Sequence, residues 1–402
     1  MQVLKFGGTS VGSIDRIQNV AAIIDEISQT EKQLAVVVSA MAGETDRLVA
    51  LYRSLGVSIE TREYDLLVAS GEQASVALLS AALRKRGKKS TPLLGFQAGF
   101  VTDQKHSKAK IQNIETQHIQ NLWADGSIPI IAGFQGVDAA GEITTLGRGG
   151  SDTSAVALAA ALGADVCDIY TDVSGVYTAD PRICPEARRI PILSFEECME
   201  LASLGAKVLH PRCVELGAKY RIPIRVINTF NRGECTVIKQ MDSEDKGLES
   251  PVVTALSHDH NMILVTVHKA KNAVQDYARL FGPLSDKGVI IDIISNSAPD
   301  AQGFFDLSFS CPKEDIVNVE TLLKKFGQEY TVRSGLSKVA LVGTGMRTHS
   351  GVAARVFRIL AEQSIPVFCT SSSEISLTCV VPSELVEKTI QSLHKGFELG
   401  NP

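Results

Sequence analysis

Through the first 240 residues, short unbroken apolar runs alternate with segments whose apolar residues recur every three or four positions, and this alternation restricts the fold more than any other feature. Met1–Phe6 and Leu34–Ser39 read as buried strands rich in Val and Leu. Ile14–Ile27 between them has helical spacing, with Ser13 as its N-cap. The order continues with Ile128–Ala132 as strand, Ala155–Leu162 as helix, Asp168–Thr171 as strand, Phe195–Leu204 as helix and Ile224–Val226 as strand. Ser194-Phe195-Glu196-Glu197 has the spacing of a capping box, and Gly205 can close the helix it opens. Continuous apolar strands alternating with helices predict an α/β domain, a mostly parallel sheet between helix layers.

Near residue 240 the composition changes. A polar, charged stretch ending at Pro251 predicts a linker over 241–252, leaving a first domain over 1–240. Beyond it one order of elements occurs twice. Ile263–Val267, Ala273–Leu280, Val289–Ile294, Phe304–Phe309 and Ile316–Phe326 read strand, helix, strand, strand, helix. Val339–Val342, Gly351–Glu362, Ile365–Cys369, Ile375–Val381 and Leu385–Leu393 repeat that order. The repeat predicts two small α+β modules of βαββαβ type, over 253–331 and 332–402, able to interleave in sequence.

Several functional classes are disfavoured. A formal net charge of −5 implies no basic face that would grip nucleic acid. No uninterrupted apolar run reaches the ~18 residues of a membrane span, and glycines by position 7 leave no room for a signal-peptide apolar region. Eight cysteines lie between Cys167 and Cys379 without a CxxC pair, so neither a zinc site nor a disulfide framework is indicated. The expectation is a reduced, cytoplasmic enzyme without nucleic-acid or membrane partners.

The glycine-rich segments carry the chemistry. Lys5-Phe6-Gly7-Gly8-Thr9-Ser10 ends the first strand, and its glycines let backbone N–H groups approach an anion while Lys5 adds a charge. It lacks Walker A spacing, and by itself would be an ordinary tight turn. Leu146-Gly147-Arg148-Gly149-Gly150-Ser151-Asp152 is less ordinary: three glycines, an arginine and an aspartate precede an alanine-rich helix. The helix N-terminus favours anions, and Arg148 offers a bidentate fork to carboxylate or phosphate. Asp152 suits placement of a metal ion or the lysine. Ser70-Gly71-Glu72-Gln73 has a second capping-box spacing, and Glu72 could equally hold a substrate ammonium. Ser39 through Asp46 follows a buried strand at its carboxyl end, where α/β sheets place ligands.

Taken in order over positions 5–211, KFGGTS, SAMAGETD, SGEQ, GFQG, TTLGRGGSDTSA, TDVSGVYTADPR and GAKVLHP resemble the aspartate kinases, within the amino acid kinase fold. The paired C-terminal modules resemble ACT domains, SKVALVGTGMRTHSGVAARVF opening the second. The resemblance implies ATP-dependent phosphorylation of the L-aspartate β-carboxylate with Mg²⁺, the first step toward lysine, threonine, methionine and diaminopimelate. It implies that Lys5, Asp152 and Lys207 are catalytic. Ser39, Thr45, Glu72, Arg148, Gly149 and Ser151 would line the aspartate pocket, with Glu72 near the ammonium and Arg148 on the α-carboxylate. Lys5, Phe6, Gly7, Gly8, Thr171, Asp172, Tyr177, Asp180, Arg182 and Lys207 would contact ATP. The ACT-like modules would make a homodimer or higher homo-oligomer and sense lysine or threonine.

The regulatory half departs from the family pattern. His268-Lys269-Ala270-Lys271-Asn272-Ala273 replaces a proline-glycine loop, and Ile290 and Pro366 stand where relatives often have asparagine. Asp292 and Asn296 are the candidate effector contacts. Rival readings are another amino acid kinase, set against by the Glu72–Arg148 pair, and an inactive amino-acid-binding regulator, set against by Lys5, Arg148, Asp152 and Lys207. A hydride-transferring Rossmann enzyme lacks its GxGxxG.

Overall fold

A computed structural model describes residues 1–206, 208–241, 252–271, 273–327, 329–347 and 349–400. The described chain divides into two compact units: Met1–Val176 with Arg189–Ser203 and Lys207–Lys246, and Tyr177–Arg188 with Leu204–Ala206 and Gly247–Pro402.

The first unit runs β1 (Gln2–Phe6), α1 (Ile14–Thr30), β2 (Leu34–Val38), α2 (Glu44–Arg53), α3 (Arg62–Val68), α4 (Ser70–Lys85) and β3 (Ser90–Leu93). Then come β4 (Phe100–Thr102), β5 (Ile111–Ile114), α5 (Gln117–Ala124), β6 (Ile128–Ala132), β7 (Gln135–Val137), β8 (Ile143–Thr145) and α6 (Gly150–Leu162). It ends with β9 (Val166–Thr171), β10 (Ile192–Ser194), α7 (Phe195–Ser203), α8 (Pro211–Tyr220), β11 (Ile224–Asn228) and β12 (Cys235–Lys239). Eight strands form one sheet, β10-β12-β11-β9-β1-β2-β6-β3, parallel except where β11 meets β12. All five residues of β2 are buried, the burial on both faces that its unbroken Val run requires. One face packs Leu4, Phe6, Val36 and Val38 against Ile17, Val20 and Ile24 of α1 and Leu79 and Leu83 of α4. α6, buried through Ala155, Val156, Ala157, Leu158 and Ala159, has no polar stripe to turn to solvent. A smaller sheet, β5-β4-β7-β8, leads the chain into α6.

The capping box at Ser194 is present: Ser194 Oγ accepts from Glu197 N–H at 3.1 Å while Glu197 Oε2 accepts from the Ser194 hydroxyl at 2.8 Å. The second proposed box is absent. Ser70 lies inside the helix and donates its hydroxyl to Leu67 O at 2.6 Å, because α3 runs into α4 through Ala69, itself in right-handed helical geometry. Arg62–Lys85 is long and apolar enough by composition to cross a membrane, yet its most apolar window is half buried and carries core residues Val68, Val76, Leu79 and Leu83.

The second unit contains β13 (Ala255–Asp259), β14 (Ile263–Lys271), α9 (Ala273–Asp286), β15 (Ile294–Asn296), β16 (Phe304–Cys311), α10 (Ile316–Phe326) and β17 (Tyr330–Arg333). It continues with β18 (Leu336–Val342), α11 (Val352–Glu362), β19 (Cys369–Ser372), β20 (Ser376–Pro382) and α12 (Val386–Gly396). Two four-stranded sheets result, β15-β16-β14-β17 and β13-β18-β20-β19. β13 lies within the 253–331 span expected of the first module yet pairs with β18 in the sheet β13-β18-β20-β19. The strands expected over Val289–Ile294 and Ile365–Cys369 begin only at Ile294 and Cys369. Val289, Ile293 and Ile365 are buried outside these strands, although Ile293 O accepts from the Ser310 N–H of β16 at 2.9 Å, and Pro366 has no N–H to give. Apolar pattern reports burial, and burial is not always a strand.

Candidate active site

Three strands of the main sheet deliver the site. β1 ends at Phe6, β2 at Val38 and β6 at Ala132, so the loops after them open at the carboxyl edge where parallel sheets bind ligands. Ser39 N–H donates to Phe6 O at 3.1 Å and Gly133 N–H to Val38 O at 3.0 Å, holding those loops in register. Between them lies a pocket of about 330 Å³ lined by Lys5, Gly8, Ser39, Thr45, Glu72, Arg148, Gly149, Ser151 and Asp152. Segments spread over 148 positions of sequence thus meet in one cavity. Asp46, Met41 and Phe134, which lie within the motifs but were given no role, line it too.

Lys5 and Asp152 face each other there. Lys5 Nζ lies 2.6 Å from Asp152 Oδ1, and both side chains are largely buried. An ammonium held this way is aimed before any ligand arrives, the condition for electrostatic stabilisation without reorganisation. Asp152 sits in the first turn of α6, whose N-terminus no side chain caps. That end of the helix is a place for an anion.

Glu72 is only 3% exposed. Its Oε1 accepts from the Ala40 N–H at 3.1 Å, while Oε2 has no hydrogen-bond partner among the described residues. Burial pushes the carboxyl up to about 8 from its usual 4.5. A buried carboxylate oxygen open to a pocket awaits a cationic donor. Arg148 is exposed and makes no hydrogen bond or ion pair to another described residue, leaving its fork available.

The turn carrying Arg148 is shaped by what surrounds it. Gly149 has φ +67°, and a Cβ there would fall 2.2 Å from the Cβ of His210, so only glycine fits. His210 is therefore a wall behind the turn and the N-cap of α8, its Nδ1 accepting from Arg212 N–H at 3.3 Å. Burial lowers its pKa below the usual value. Arg212, which sequence reasoning passed over, holds Leu146 O and Ala109 O with its guanidinium, both at 2.9 Å. Nothing local marks it, since its partners lie 66 and 103 positions away.

The expected nucleotide residues divide. The Phe6 side chain is fully buried and stacks on Tyr170 at 4.6 Å between centroids, and Gly7 donates its N–H to Tyr170 O at 3.1 Å. Both are fixed to the sheet, and only the backbone of Phe6 could meet a ligand. Thr171 ends β9 and Asp172 follows it, with Thr171 Oγ1 donating to Asp172 Oδ1 at 3.1 Å. Tyr177, Asp180 and Arg182 group with the second unit. There Ala179 and Cys184 enter a core with Val339, Leu341 and Leu393, and Thr178 Oγ1 bonds His394 Nε2 at 2.9 Å. Arg182 forms an ion pair with Asp180 at 2.7 Å, which holds that carboxyl below its ordinary range. Lys207 lies outside the described residues. In the second unit Asp292 receives Lys338 Nζ at 2.5 Å, and Asn296 is exposed, donating to Ser297 O at 3.2 Å.

A model of the amino acid kinase family matches residues 1–228, and one of the ACT domain matches 339–397. An aspartokinase of Pseudomonas aeruginosa is 42% identical over all of this chain and 98% of its own length. One from Geobacillus stearothermophilus is 44% identical, over 99% and 97%. The chain belongs to the aspartokinases. Among solved aspartokinases, the Escherichia coli aspartokinase III complex with aspartate and ADP (R-state) superposes with a TM-score of 0.80 at 26% identity, covering 98% of this chain and 99% of that one. Its complex with lysine and aspartate (T-state) gives 0.73 at 27%, covering 99% of each.

Proposed function

We propose that this aspartokinase transfers the γ-phosphoryl group of ATP to the β-carboxylate of L-aspartate in the pocket of Lys5, Glu72, Arg148 and Asp152. The observation that carries the site assignment is that pocket's charge pattern: an open buried acid, an unengaged guanidinium and a pre-aimed lysine. Glu72 takes the substrate ammonium and Arg148 the α-carboxylate, leaving the β-carboxylate directed toward Lys5. Ser39, Thr45, Gly149 and Ser151 complete the walls.

An ionised carboxylate is already a nucleophile, so the protein's task is alignment and charge neutralisation. Lys5 stabilises the equatorial oxygens of the moving phosphoryl group, with the N-terminal end of α6 beside it. Gly8 gives the phosphates close access, while Thr171 and Asp172, at the carboxyl end of β9, serve the nucleotide. Lys207 adds positive charge. A pocket carboxylate suits Mg²⁺, which binds through one or two carboxylates and substrate phosphates; Asp152 would hold it. The ion would neutralise phosphate charge. Incubating the enzyme with ATP, hydroxylamine and each candidate acceptor tests the reading: aspartate should yield hydroxamate, and a preference for glutamate or acetylglutamate would overturn it.

The second unit senses an amino acid effector, with Asp292 and Asn296 as contacts and lysine or threonine as ligands. Lys338 now occupies Asp292, so an effector ammonium must compete with it. β15 and β19 are exposed edge strands suited to homo-oligomer contacts. Eight free cysteines suit a reducing, cytoplasmic setting.

A further inference from the structure

Glu72 and Arg148 stand on separate pieces of chain, α4 and the turn after β8. Two groups can grip the ammonium and carboxylate on one carbon atom only if their supports are held at a fixed spacing. Asp65 lies between those supports. It sits on α3, which continues into α4, and it is fully buried.

The carboxylate of Asp65 reaches toward the Arg148 turn. Thr145, the last residue of β8, donates its hydroxyl to Oδ1. The Ser107 N–H reaches Oδ1 at 3.0 Å and Oδ2 at 3.1 Å, and His106 Nδ1 lies 2.8 Å from Oδ2. Ser107 is thereby kept at φ +65°, a left-handed conformation that serine rarely adopts. Its carbonyl oxygen comes within 3.0 Å of the point where a Cβ on Gly147 would be. Ala109 N–H bonds Thr145 O at 2.9 Å, joining the same loop to β8. A second tie runs from β7, where Gln135 Nε2 donates to Ala69 O at 3.0 Å, at the α3–α4 junction.

We propose that Asp65 is a positioning residue that holds the ammonium-binding and α-carboxylate-binding groups at the separation one amino acid requires. This rests on the assignment of Glu72 and Arg148 to aspartate. Asp65 touches no substrate; it fixes α3 and β8 to one loop and so fixes Glu72 against Arg148. The residue acts on the grip, so its loss moves the aspartate constant more than the chemical step.

Steady-state kinetics of the full-length enzyme with Asp65→Asn, Thr145→Val and Thr145→Ser tests the proposal. Asp65→Asn and Thr145→Val should raise the aspartate KM about 10-fold, the scale of a small misplacement at a binding group, with kcat and the ATP KM within about twofold. Thr145→Ser keeps the hydroxyl and should restore the wild-type KM. If Asp65→Asn does not fold, Thr145→Val and Thr145→Ser carry the same comparison. An unchanged aspartate KM in the folded variants, or a drop in kcat alone, overturns the role. Arg148→Ala separates the two claims. If it raises the aspartate KM while Thr145→Val does not, the positioning role fails and the pocket assignment stands. If Arg148→Ala leaves the KM unchanged, the assignment itself fails.

Discussion

Replacing Glu72 by glutamine should remove a pH dependence that burial builds into aspartate binding. The carboxyl titrates at about 8, against an ordinary 4.5, because it is shut away from water with one oxygen unpartnered. Only the ionised form pairs with an ammonium. With a pKa of about 8, the ionised fraction is about 1% at pH 6 and about 50% at pH 8, so apparent affinity should rise about 50-fold across that range. Binding near pH 7 should expel about 0.9 proton per site, by the same arithmetic. The stability of the unliganded fold runs the other way. A group held protonated in the fold and ionised in the unfolded chain gives stability that is full below about 4.5 and lost as pH rises through about 8. Roughly 2 kcal/mol of that loss falls between about pH 6 and 8. Titration calorimetry in two buffers of different ionisation enthalpy reads the proton directly. Glu72→Gln should abolish its release and weaken aspartate binding about 10- to 100-fold, the worth of a charge-assisted hydrogen bond. Wild-type affinity flat from about pH 6 to 8, or equal proton release from the variant, would refute the reasoning.

Three further outcomes follow from the geometry. Arg148→Ala should raise the aspartate KM about 10- to 100-fold while leaving the ATP constant near wild type; movement of the ATP constant alone would assign the arginine to the nucleotide. Gly149→Ala must enter a left-handed backbone and meet the His210 Cβ, so both activity and thermal stability should fall, by about 1–3 kcal/mol in the latter. Wild-type melting and turnover would show that the turn yields. Lys338→Met should tighten lysine binding several-fold in calorimetry by releasing Asp292, and equal or weaker binding would remove Asp292 from the effector site.

What could be read from the sequence was whatever its neighbours declare. β1, β2 and β6 announce themselves through short segments rich in Val, Leu and Ile, and the Ser194 capping box through its three-residue spacing. The pocket residues were legible because KFGG and GRGGSD are glycine-rich at element boundaries, where only a turn or a ligand explains them. The Ser70 box misled because its spacing is satisfied equally inside a continuous helix, and α3 supplies that continuity. Asp65 was invisible for a different reason. Its partners lie 41, 42 and 80 positions away, and an isolated aspartate on an amphipathic helix looks like a solvent-facing charge. The grouping of Tyr177–Arg188 with the second unit was equally hidden, since Ala179 and Cys184 are too small and too few to mark a core segment.

The central claim is that Lys5 carries the charge of the transferring phosphoryl group in this pocket. Its most direct test is the rate of aspartyl hydroxamate formation by Lys5→Ala at saturating ATP and aspartate, on protein shown to be folded. Loss of a pre-aimed charged donor predicts a kcat lower by about 10²–10³-fold. A folded Lys5→Ala enzyme that forms hydroxamate at the wild-type rate would contradict the account.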